Sequence, residues 1–196
     1  MRYFFIVVLS FLISSVVHSQ DLKDISNKHY SFDFFKIGDS LENYRNLLTN
    51  SDYHFNEIEN IDTIKSANVF RFYPSLKSAV DIASVSFNTI LILIDDNKRA
   101  KSFTFWNVYD QKNAINLDQL LENNNDSIIN YLNEYLKIRG VRSNNRKKVL
   151  YGYLQQEKTI WLNGNLEYIL TASKDIDKDT KQVTLCQLIL SCQIKE

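Results

Sequence analysis

The sequence has 196 residues, with 23 basic and 23 acidic side chains, three histidines and two cysteines. The balanced charge argues against a general polyanion binder, and 44% hydrophobic residues argue against a disordered chain. One proline and four glycines leave little room for long flexible linkers.

The chain opens on MRYFFIVVLSFLISSVVHSQD. Arg2 supplies a positive start, Tyr3 to Val17 is an apolar run relieved only by serines, and Val17-His18-Ser19 offers a cleavage site. Residues 1–19 are therefore predicted to be a secretory signal peptide, leaving a mature chain of 177 residues. The 15-residue run would rise about 22 Å as a helix, short of a hydrocarbon core about 30 Å thick. No transmembrane segment is expected in the mature chain. No cysteine stands near the end of the run, so the expectation is export to the periplasm or the outside without a lipid anchor.

Residues 20–33 are polar and read as a loose segment leading into a single domain over 34–196. Gly38 breaks a short strand, and Asp39 reads as the cap of a helix over about 40–50, with Glu42 as its reciprocal partner. Tyr53 and Phe55 alternate with polar residues, and Val69 to Tyr73 is a second short strand ended by Pro74. Ile82 to Ile94 reads as one long strand, Asp95 to Lys98 as a turn, and Lys101 to Trp106 as the returning strand. The strongest helix is predicted over 117–139, with Asn116 as N-cap, a stripe of Leu117, Leu120, Leu121, Ile128, Tyr131, Leu132 and Tyr135, and Gly140 as the residue that stops it. Asn123 to Asp126 weaken its middle, because such side chains compete for the helix backbone. Four strands close the chain at Lys148–Leu154, Thr159–Leu162, Leu166–Ser173 and Val183–Ile194, with a hairpin turn at Asn163-Gly164.

These elements predict an α+β domain. About eight mostly antiparallel strands form a curved sheet, and two main helices, about 40–50 and 117–139, lie on one face. The pattern divides into two halves, each a helix followed by about four strands, with poor residue identity between them. Cys186, Leu188, Leu190, Cys192 and Ile194 share one face of the last strand. Six residues of strand span about 20 Å, while a disulfide needs Cα atoms within about 7 Å, so both cysteines are expected to be free and buried.

The segment Phe35-Lys36-Ile37-Gly38-Asp39-Ser40-Leu41, leading into a helix and then hairpins, resembles the opening of small bacterial envelope and inhibitor domains. These form the family of the outer-membrane assembly lipoprotein SmpA and the β-lactamase-inhibitor proteins. The resemblance covers about a dozen residues, departs at the missing lipid-bearing cysteine, and assigns no role to any residue.

The usual catalytic sets are missing. A mature chain from Gln20 holds only His29 and His54, and no G-x-S-x-G turn accompanies a serine. The four glycines are isolated, so no phosphate-cradling loop exists and no cofactor is expected. Asp175, Asp177 and Asp179 have the spacing of a calcium loop, but Thr180 and Cys186 stand where glycine and glutamate are needed, so no metal is expected. Six cations fall within twelve residues: Lys137, Arg139, Arg142, Arg146, Lys147 and Lys148. They read either as a patch for an acidic partner or as cations favoured at a helix C-terminus and in a solvated loop. Tyr151, Tyr153 and Trp161 beside them read either as an exposed docking face or as core. The candidate partner-binding set is therefore Arg139, Arg142, Arg146, Lys147, Lys148, Tyr151, Tyr153 and Trp161.

The functional expectation is a non-enzymatic exported protein that binds a protein or an envelope component, with nucleic acid a poor partner outside the cytoplasm. The alternatives are a small hydrolase of glycans working through two carboxylates, and a structural or assembly factor of the cell envelope.

Overall fold

A computed structural model describes residues 28–32, 35–44, 53–58, 68–74, 78–110, 116–150 and 152–195. Strand β1 (Lys28–Ser31) is followed by helix α1 over 41–44, then β2 (Tyr53–Ile58), β3 (Asn68–Pro74), β4 (Ser78–Ile82), β5 (Val85–Phe87), β6 (Thr89–Ile94) and β7 (Ala100–Asp110). Helix α2 (Leu117–Leu136) leads into β8 (Val141–Val149), β9 (Gly152–Asn163), β10 (Leu166–Asp177) and β11 (Val183–Ile194). The fold is α+β.

Eight strands form one antiparallel sheet in the order β2-β3-β6-β7-β11-β10-β9-β8. The halves meet at β7 and β11, where Phe105 pairs with Leu190 and Trp106 with Ile189. Within each half, neighbours in the sheet follow chain order, and the second half runs back toward the first.

Alternation sets the phase of the central strands. Ile90 and Ile92 of β6, Phe103 and Phe105 of β7, Leu188 and Leu190 of β11 and Leu170 of β10 point to one face and are fully buried. Helix α2 covers that face through Leu117, Leu121, Ile128, Ile129, Leu132 and Leu136. Leu41 and Tyr44 of α1 seat on it too, with Phe35 stacked on Tyr44 at 5.9 Å and edge-on to Phe105 at 4.9 Å. The helix predicted over 40–50 begins as expected, but its cap is Ser40, whose Oγ accepts from the backbone N–H of Glu42. Residues 45–50 lie outside the described residues.

A second small sheet, β1-β4-β5, also sits on this face. Phe87 of β5 meets Phe105 at 6.1 Å, and the Asn107 side chain donates to the Ser86 carbonyl. Residues 28–31, expected in the loose lead-in, pair in parallel with β4, and Phe32 inserts beside Phe105. The polar sequence concealed this, although Phe32 at its end is buried against Phe105, Tyr135 and Tyr168. The strand read as Ile82–Ile94 is likewise two strands. Ala83 and Ser84 turn the chain with positive φ, and Asn88 separates the small sheet from the large one.

The last third holds further corrections. Helix α2 ends at Leu136, with Lys137 in the left-handed conformation at its cap. Gly140 is needed for a different reason: a Cβ there would lie 2.5 Å from Trp161 Cε2 and 2.5 Å from Thr159 Cγ2. Asn123 to Asp126 do not break the helix. Asn124 donates to Tyr109 Oη and the buried Asn125 donates to Glu157, so two of the weak formers are held by the sheet. The residues read as a solvated loop and a strand over 148–154 are in fact β8, ending at Val149, and the start of β9 from Gly152, with Leu150 in a turn between them. At the next hairpin the two turn residues are Gly164 and Asn165, with Asn163 paired to Leu166. Gly164 carries the positive φ, as a glycine-first two-residue turn requires.

Candidate functional site

Each surface of the large sheet offers a different chemistry, and strand register decides which side chains reach it. On the helix-covered face, the β8 end extends beyond α2. Arg142, Arg146 and Lys148 of β8 stand there opposite Thr159, Gln155 and Tyr153. Arg142 pairs with Asp126 at 3.2 Å and lies 4.0 Å from Glu157. The Arg146 guanidinium sits 4.4 Å above the Tyr153 ring. Lys147 points to the opposite face, and Arg139 lies in the loop after α2. The basic cluster is thus divided: Arg142, Arg146 and Lys148 share one face of β8, Lys147 takes the other, and Lys137 and Arg139 precede the strand.

The aromatic candidates are divided as well. Trp161 is 1% exposed, and its indole N–H donates to Asn133 Oδ1 at 2.8 Å. The same oxygen accepts from the Gly140 backbone N–H, so Asn133 ties α2 to the loop and to β9. Trp161 is core and cannot meet a partner. Tyr153 is half-buried beneath Arg146. Tyr151 lies outside the described residues.

Beneath α2 a narrow cleft of about 80 Å³ is lined by Glu122, Asn125, Gln155, Glu157 and Lys174. Its acids are engaged: Lys174 bonds Asp118 and lies 3.9 Å from Glu122, while Glu157 accepts from Asn125. A glycosidase acid needs a carboxyl held protonated by its surroundings. Among the described residues burial raises the carboxyl of Asp175, but that side chain stands on the opposite face of β10, paired across from Leu154 and Leu185. Asp177 has the reverse character. The backbone N–H groups of Thr180 and Asp179 and the Thr180 hydroxyl bond its carboxylate and hold it below the usual range. Those bonds close a turn from Asp177 to Thr180, while Asp175 stays in β10. The thiols are no better suited to catalysis: burial pushes both Cys186 and Cys192 up to about 11, where the reactive thiolate is disfavoured. Both are free, as their strand spacing requires.

The other face of the large sheet carries no covering element among the described residues. Its central positions are Leu91 and Leu93 of β6, Thr104 and Trp106 of β7, Ile189 and Ser191 of β11, and Ile169 and Thr171 of β10. All are half-buried. Thr104 and Ser191 share a hydroxyl hydrogen bond at 3.0 Å, and the shielded Trp106 Nε1 finds no acceptor among the described residues. The acids Glu167 and Asp175 stand toward the two ends of β10. A face built only for water would carry lysine and glutamate at its centre. This one carries leucine, isoleucine, threonine and tryptophan instead, a composition of interface centres. At its β8 edge, Ile138, Val141, Ile160 and Leu162 line an open hollow of about 460 Å³, with Arg139 and Lys195 on its walls.

No family model, curated protein or solved structure matches the chain. The resemblance noted at Phe35–Leu41 therefore carries no functional assignment, and the geometry must supply the argument.

Sequence reasoning missed the open face. The signal was present in the second phase of the strands, where TILILI is apolar on both faces and Gln187, Ile189, Ser191 and Gln193 mix apolar with uncharged polar residues. Of the described helices, none is long and apolar enough to cross a membrane.

Proposed function

We propose that this chain is an exported, non-enzymatic binding protein that seats a protein partner on the open face of its large sheet. The observation that carries the reading is the centre of that face, with Leu91, Trp106, Ile169 and Ile189 in adjacent strands, the cations Arg71 and Lys158 at its flanks, and no described element over them. Contiguous apolar surface on a soluble domain marks an interaction site. Export rests on the apolar run from Tyr3 to Val17 and the cleavage site at Ser19, and it places the partner in the periplasm, at the envelope or outside.

Capture from envelope extracts tests the reading. The wild-type domain should retain a partner that Ile169→Asp and Ile189→Asp each lose by at least tenfold. Glu134→Lys, on the exposed side of α2, should retain it fully. Equal capture by all three variants would sink the proposal, as would glycan turnover abolished by Glu157→Gln.

A further inference from the structure

We propose that β8 is a strand-addition site: an extended, acidic segment of a partner protein pairs with its free edge. The inference rests on the binding-protein reading above and names the partner's chemistry. β8 is the terminal strand of the eight-stranded sheet, and β9 is its sole neighbour among the described residues. Nine residues, Val141 to Val149, pair with β9 without a register shift. Every one of the nine is exposed. Alternate backbone N–H and C=O groups of such a strand point away from its neighbour and are free to pair with another chain.

Folded proteins normally blunt a long edge with a proline, a bulge, a short strand or charge. β8 has the sequence VRSNNRKKV, with no proline and no bulge. Charge is therefore its one device, and charge selects the occupant. A second copy of β8 would bring cations opposite cations, which is repulsive across paired strands. An acidic strand turns the same contacts attractive.

The side chains set a register for that strand. Arg146 and Lys148 stand two apart on the helix-covered face, so acidic residues at alternate positions meet both. Arg146 is steadied by the Tyr153 ring. Arg142 is occupied by Asp126 and Glu157 and contributes less. Val141, at the other end, points to the open face and lines the 460 Å³ hollow with Ile138, Ile160 and Leu162. An apolar residue of the incoming strand, five positions from the one opposite Arg146, falls on the correct face to enter it. Backbone bonds would supply affinity, and the alternating acids and the apolar anchor would supply specificity.

The probe is a short synthetic peptide alternating Glu and Thr and ending in Leu. It is compared with a counterpart carrying Lys for Glu and with a copy methylated on alternate backbone nitrogens. Binding to the mature domain is followed by fluorescence anisotropy, and hydrogen exchange is followed at individual amides. The acidic peptide should bind and slow exchange at alternate amides of β8. Backbone methylation and the double substitution Arg146→Glu with Lys148→Glu should each weaken binding at least tenfold, and added salt should weaken it further. Equal binding of the methylated or the lysine peptide would overturn the proposal, as would protection confined to the open face. If the peptide fails while Ile189→Asp still abolishes partner capture, strand addition falls and the binding-protein reading stands. If both fail, both fall.

Discussion

Asn133 shows how one polar side chain can hold several elements together. Its Oδ1 accepts from the buried Trp161 indole and from Gly140, so Asn133→Ala leaves both donors without their partner. The expected loss is about 1–3 kcal/mol by urea denaturation, with the larger share from the buried indole. The two thiols make a prediction in pH. Burial raises both to about 11, so the unfolded chain gives up those protons first as the solution becomes alkaline. Stability from the neutral thiols is complete below the ordinary thiol range and is lost progressively as pH rises toward about 11. Tyr44, pushed up to about 12 mainly by burial, extends the same trend. The urea midpoint should fall steadily above about pH 9, and Cys186→Ala with Cys192→Ala should flatten that fall while lowering the plateau. Little of this was legible in the sequence. Alternation placed the cysteines on a buried face, but nothing local distinguishes Asn133 from a solvated helix residue. Its partners lie in a loop and a strand that come later in the chain.

At the scale of elements, the short hairpin between β4 and β5 places two successive non-glycine residues in left-handed backbone. Ala83 and Ser84 both hold positive φ, at 53° and 64°, in a two-residue turn that prefers Asn-Gly. Ala83→Asn with Ser84→Gly should therefore stabilise the protein, by about 1 kcal/mol. An unchanged or lowered denaturation midpoint would show that these side chains hold the turn in some other way. The same turn was illegible in sequence, because an apolar run from Ile82 to Ile94 conceals a reversal made by residues that seldom reverse chains. Helix α2 is the opposite case. Asn116 caps it as expected, its Oδ1 accepting from Gln119, and the stripe of leucines and isoleucines faces the sheet. β8 fails for a third reason: an edge strand exposed on both faces has no apolar alternation to read.

The two halves of the large sheet meet where β7 pairs with β11, and α2 adds a contact across them through Asn124 and Tyr109. Phe105 and Leu190 are fully buried at that seam, where β7 and β11 pair along their length. The two halves therefore share a core and should unfold together. The chain's two tryptophans divide between them, with Trp106 on β7 and Trp161 on β9. In each single-tryptophan variant, Trp106→Phe and Trp161→Phe, the urea transition followed by fluorescence should coincide with the one followed by far-ultraviolet circular dichroism, which reports both halves. A circular-dichroism transition displaced from the fluorescence transition, or split in two, would mean that the halves fold independently.

The division between sequence and tertiary structure follows from the range of each force. Strand alternation, helix caps and turn residues act over a few positions, so the sequence by itself determined the α+β class, the strong helix after Asn116 and the free, buried state of both cysteines. It also supplied the apolar N-terminal run on which export is argued. The order of strands depends on which edges meet far along the chain, as β7 and β11 do where Phe105 pairs with Leu190, and that order brings Leu91, Trp106, Ile169 and Ile189 together on one face. It likewise leaves β8 at the rim. Trp161 reads from sequence as either surface or core. Only the packing of Asn133 and Gly140 against it makes it core, because a buried indole needs an acceptor that the local chain does not provide.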